Sequence, residues 1–83
     1  MKRADFIQMM ADLLEVDAEA IQPGAELMDF PYYNSVCALM LMVRLEEDAR
    51  VACSPADLAG LRTIGDVEAL IARQAGIDFA ESR

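Results

Sequence analysis

The 83-residue sequence predicts an all-α fold, a small four-helix bundle of three longer helices and one short helix with a long first loop. Three observations carry that prediction. Apolar side chains recur at spacings of three and four in separate segments, and capping or breaking residues stand at the ends of those segments. No stretch shows the apolar–polar alternation of a half-buried strand. A chain of this length makes one domain with one core, assigned to residues 1–76, with 77–83 as a C-terminal tail.

Ala4 to Leu14 forms the first helix. Phe6, Ile7, Met9, Met10, Leu13 and Leu14 fall on one side, and Asp5, Gln8 and Asp12 lie between them. Asp5 in the first turn suits the positive end of the helix dipole, which places the start near Arg3 or Ala4. Periodicity lapses from Val16 to Tyr33, where Pro23-Gly24 and Phe30-Pro31 mark turns. Val16, Ile21, Leu27 and Phe30 are apolar anchors that predict an ordered loop.

The second helix runs from Ser35 to Ala49 with Asn34 or Ser35 as its cap. Val36 to Val43 is apolar on every face, so this helix either sits centrally or keeps one face for a partner. Ser54-Pro55 opens a third helix of at most two turns before Gly60. Thr63 and Asp66 form a capping-box pattern ahead of a fourth helix, whose stripe of Ile64, Val67, Leu70 and Ile71 ends before Gly76.

Composition restricts the chemistry. Fifteen acidic residues oppose seven basic ones, for a formal charge of −8, and histidine and tryptophan are absent. Without imidazole the commonest general base and catalytic metal ligand are missing, so no catalytic activity of its own and no metal site are expected. The acidity disfavours nucleic acid and anionic lipid and favours basic protein surfaces. Cys37 and Cys53 match no zinc spacing, and no secretory signal is expected ahead of them; two reduced packing cysteines in a cytoplasmic protein are the expectation. The uncharged stretch from Phe30 to Val43 is shorter than the roughly 20 apolar residues that span a bilayer and contains Pro31 and Asn34, so no membrane anchor is expected.

Ser35 is the candidate functional residue. It follows a long loop, begins a helix and lies in the uncharged stretch. A hydroxyl there is exposed, and the orphan N–H groups of a helix start favour a phosphate ester. Its position alone also fits an N-cap, or the neighbour of one, and does not decide for a functional role.

From about Phe6 to Ile71 the chain resembles the acyl carrier protein family. The loop from Val16 to Leu27 looks like the family's first loop. Asn34-Ser35-Val36 falls where Asp-Ser-Leu belongs, Leu41 and Leu45-Glu46-Glu47 follow at the family's spacing, and Arg62-Thr63-Ile64-Gly65-Asp66-Val67 resembles its Thr-Val-Gly-Asp segment. The resemblance implies that a phosphopantetheinyl transferase attaches 4′-phosphopantetheine from coenzyme A to Ser35. It further implies that the arm's thiol carries acyl groups as thioesters, presented to acyl-loading and acyl-processing enzymes of fatty-acid, polyketide or other secondary-metabolite biosynthesis. Tethering supplies effective concentration while the partners do the chemistry. The helix beginning at Ser35 would be the recognition surface, with Asn34, Val36, Cys37, Met40, Val43, Glu46 and Glu47 as partner-binding residues on a monomer. The interior beneath it would shelter an acyl chain, at about 0.8 kcal/mol per buried methylene.

The chain departs from the family pattern at Asn34 in place of Asp, Val36 in place of Leu and Tyr32 in place of Gly, and it carries Cys37 and Met40 where relatives have acids. An adaptable apolar contact would then replace an electrostatic one. Tyr32 and Tyr33 either flank the attachment point or close the loop over the core. Three alternatives accompany this expectation: a peptidyl or aminoacyl carrier, a carrier-fold interaction module without an arm, and a hydrolase with Ser35 as nucleophile and Lys2 as its base.

Overall fold

The structure, a computed structural model, describes residues 2–75. Four α-helices follow in order: α1 (Arg3–Leu14), α2 (Ser35–Ala49), α3 (Pro55–Ala59) and α4 (Ile64–Ala75). The starts of α2, α3 and α4 fall where the capping residues predict, and α3 ends before Gly60 as expected. The expected tail at 77–83 lies outside the described residues.

Each helix end has a local cause. Ser54 Oγ accepts from the backbone N–H of Asp57 at 3.1 Å, and the Asp57 carboxylate accepts from the Ser54 N–H, a reciprocal box with Pro55 at the first helical position. Thr63 and Asp66 repeat that exchange ahead of α4. Two helices stop on left-handed residues that are not glycine, Glu15 after α1 and Arg50 after α2, both with φ 57°. After Arg50 the N–H of Val51 reaches back to the Leu45 carbonyl at 3.1 Å, and the Val51 side chain is fully buried; together they fix the reversal of the chain.

The core is built from Phe6, Met10 and Leu14 of α1, Leu41 and Leu45 of α2, and Val67, Leu70 and Ile71 of α4. α2 packs on α1 along one side and meets α4 on another. An ion pair between Arg3 and Glu68 ties the start of α1 to α4.

The loop between α1 and α2 is ordered, as its apolar anchors predict. Two short 3-10 turns, Ala18–Ala20 and Leu27–Asp29, divide it, and Ile21, Leu27 and Phe30 are buried. Backbone bonds stitch it to the start of α4. The Leu27 N–H donates to the Arg62 carbonyl, the Ile64 N–H to the Ala25 carbonyl and the Gly65 N–H to the Pro23 carbonyl, each at 2.9 Å. Glycine suits this crossing, because a Cβ on Gly65 would stand 3.0 Å from the Pro23 carbonyl oxygen and the backbone would have to give by a few tenths of an ångström.

α2 is two-faced rather than central. Cys37, Leu41, Leu45 and Ala49 point into the core. Val36, Leu39, Met40 and Val43 are each more than half exposed. No described helix is long and apolar enough to cross a membrane.

Candidate functional site at Ser35

The stitched loop delivers the chain to α2 through Tyr32 and Tyr33. Tyr32 is exposed, whereas Tyr33 is half-buried against the core, so the pair divides the two roles expected of it: Tyr33 closes the loop and Tyr32 stands beside the helix start. Burial pushes the Tyr33 hydroxyl up from its ordinary pKa, and the nearby Cys37 and Cys53 thiols push it the same way.

Asn34 is the cap. Its backbone is extended, and its Oδ1 accepts from the Cys37 N–H at 2.9 Å. The choice between Asn34 and Ser35 is thereby resolved, and Ser35 is the first helical residue. Its side chain is exposed, and among the described residues none hydrogen-bonds its hydroxyl. Asn34 satisfies the third N–H of the helix, which leaves the N–H groups of Ser35 and Val36 at the open end of α2. No acidic residue occupies the first turn. An anion esterified to Ser35 would therefore meet the positive end of the helix dipole without a competing carboxylate in that turn.

The structure separates the expected partner-facing residues. Val36, Met40 and Val43 lie exposed along one stripe, and Glu46 and Glu47 are exposed at its far end. Cys37 corrects the expectation: it is 7% exposed and turned toward the Leu13 carbonyl, 3.9 Å from its sulfur. Burial raises its thiol pKa. Leu39 completes the exposed stripe and was not among the expected residues, although its place three residues after Val36 and four before Val43 is the signal for it.

Concavities flank α2. A groove of about 550 Å³ between α2 and α3 is lined by Leu39, Met42, Val43, Glu46, Cys53 and Asp57. A smaller one of about 270 Å³ between α1 and α2 includes Asp12, Glu15, Tyr32, Val36 and Met40. The space beside α2 is thus at the surface, while Leu41 and Leu45 fill the interior beneath the helix. Among the described residues no group of three or more Cys, Asp or Glu side chains is placed to hold a metal ion.

The family model described as "Phosphopantetheine attachment site" matches residues 4–71. The chain belongs to this family of phosphopantetheine-binding acyl carrier proteins. It is a carrier protein of the phosphopantetheine-binding type, and the family's prosthetic group is 4′-phosphopantetheine. Among its relatives are the acyl carrier protein MbtL of Mycolicibacterium paratuberculosis, 32% identical over 86% of this chain and 80% of that protein, and MbtL of Mycobacterium tuberculosis (strain ATCC 25618 / H37Rv), 35% identical over 81% and 80%. The orsellinic acid synthase of Beauveria bassiana is 40% identical over 94% of this chain, which spans only 4% of that synthase. The residues around Ser35 fit the family's group: an exposed unbonded hydroxyl, two open N–H groups and no acid in the first turn.

Proposed function

We propose that Ser35 is the attachment residue and that the chain is an acyl carrier protein of fatty-acid, polyketide or other secondary-metabolite biosynthesis. The observation that carries this reading is the exposed, unbonded Ser35 hydroxyl at the first position of α2, in a helix turn free of acidic side chains. When bound, the group supplies a terminal thiol that carries an acyl chain as a thioester. This chain's own residues then have defined tasks. Ser35 provides the ester oxygen, Asn34 holds the first turn closed, and the open N–H groups of Ser35 and Val36 face the phosphate. Leu39, Met42 and Val43 form an apolar wall along which an acyl chain can lie, gaining about 0.8 kcal/mol for each methylene removed from water.

The names of the relatives, acyl carrier proteins and a synthase of an organic acid, support an acyl rather than an aminoacyl load. On this reading residues 1–76 are the carrier unit, and the catalytic steps belong to a phosphopantetheinyl transferase and to the acyl-loading and acyl-processing enzymes. The setting is the cytoplasm, where the free thiols of Cys37 and Cys53 stay reduced.

The test is incubation with coenzyme A and a promiscuous phosphopantetheinyl transferase, followed by intact-mass measurement. The wild type is expected to gain one phosphopantetheine and Ser35→Ala none. Equal gain in both would move the attachment point elsewhere. No gain with several transferases would leave a carrier fold that acts as an interaction module.

A further inference from the structure

We infer that Gln74, in the last turn of α4, sets the width of the groove between α2 and α3 and thereby selects the acyl loads that the groove holds. What concerns the load rests on the carrier reading; what concerns the wall does not. The groove continues the face of α2 that starts at Ser35, since Leu39 and Met42 follow it at spacings of four and three.

The two sides of the groove are anchored unequally. Leu39, Met42 and Val43 belong to a helix whose opposite face buries Leu41 and Leu45 completely. Across from them stand Ala52, Cys53, Ser54 and Asp57. Residues 51–54 have no regular structure, and α3 after them contributes no buried residue. Burial of Val51 fixes one end of this stretch, and the reciprocal box of Ser54 and Asp57 organises the other.

Between those ends only Gln74 holds the chain. Its Nε2 donates to the Ala52 carbonyl at 2.6 Å and its Oε1 accepts from the Ala52 N–H at 3.1 Å. Among the described residues these are the only hydrogen bonds made by the backbone of Ala52 and Cys53. A side-chain amide presents a neutral donor and acceptor side by side, the complement of one peptide group. Without it, a stretch that buries so little opens locally and carries Cys53 away from α2. Gln74 does not line the groove, so it is a positioning residue. With the wall held in, the groove suits a slender acyl chain and excludes a cyclic one.

Thiol reactivity of the unmodified chain reads the wall, because Cys53 lines the groove and buried Cys37 faces α1. In Gln74→Ala, Cys53 is expected to react with a disulfide reagent about fivefold faster than in the wild type, with Cys37 unchanged. An unchanged Cys53 rate, or equal acceleration of both thiols, overturns the inference. Load selection is read on chains loaded from butyryl- and cyclohexanecarbonyl-coenzyme A, as the rate at which hydroxylamine takes each acyl group and frees the arm's thiol. Gln74→Ala is expected to raise the butyryl rate and lower the cyclohexanecarbonyl rate, each about fourfold, the worth of one methylene moved out of or into water. Asp66→Asn, which weakens the start of α4 away from the groove, is expected to move both rates in the same direction. If Gln74→Ala also moves both together, its role is structural and the selection is overturned. A chain that takes up no load while Cys53 accelerates strikes the carrier reading and leaves the wall assignment standing.

Discussion

Asn34 Oδ1 lies 2.9 Å from the backbone nitrogen of Cys37 and closes the turn that displays Ser35. The bond makes Asn34 a structural residue of the candidate site as well as a neighbour of Ser35. Asn34→Ala is expected to cost about 1 kcal/mol in urea unfolding. Asn34→Asp keeps the acceptor, adds a negative charge at the helix start, and is expected to raise stability by about 0.3–1 kcal/mol at low salt. An unchanged midpoint in Asn34→Ala would show that the cap does not hold the turn.

Gln74 clasps the peptide of Ala52 from both sides, its Nε2 donating to the carbonyl at 2.6 Å and its Oε1 accepting from the N–H at 3.1 Å. Through this clasp α4 holds the segment that connects α2 to α3. Gln74→Ala should destabilise by about 1 kcal/mol and accelerate hydrogen exchange at Ala52. Gln74→Glu should exchange faster still at neutral pH, where its carboxylate faces a carbonyl, and recover as it is protonated in acid.

The Asp66 carboxylate accepts from the backbone N–H groups of Arg62 and Thr63 at 2.9 and 3.1 Å, and these bonds hold its pKa below the ordinary value. A carboxyl whose folded pKa lies below its unfolded one contributes stability that is present above the unfolded value, near about pH 4. The contribution is lost as pH falls through the folded value. Unfolding midpoints measured down the acid limb should fall less steeply for Asp66→Asn than for the wild type; parallel limbs would rule this out.

Burial raises the thiol pKa of Cys37 and Cys53 alike, and Asp57 adds to the effect at Cys53. Little thiolate is present at neutral pH, so both should react slowly with a disulfide reagent in the native chain. Half-buried Cys53 should react before buried Cys37, and the two should react alike once the chain is unfolded. Faster modification of Cys37 would contradict its inward placement.

The starts of α3 and α4 were legible because each has a short-range signature. Ser54-Pro55 and the Thr63/Asp66 pair announce their helices within four residues, and both boxes form. The orientation of α2 was less legible. In the run from Val36 to Val43 almost any residue could face the core, so periodicity has no polar phase marker. Contact with α1 and α4 decides that Cys37 and Leu41 turn inward while Leu39 and Met40 turn out. The stitch between the loop and residues 62–65 left only Gly65 as a trace, since backbone-to-backbone bonds place few demands on side chains.

That stitch also bears on the order of folding. Each helix can nucleate from neighbours in sequence, but the bonds from Leu27, Ile64 and Gly65 join residues about forty positions apart, and closing so long a segment carries an entropic cost of its own. Ordering of the loop thus waits on the arrival of α4. The approach to Ser35 becomes fixed only when residues 62–65 are in place, so the turn that displays Ser35 depends on a segment that follows it in the chain.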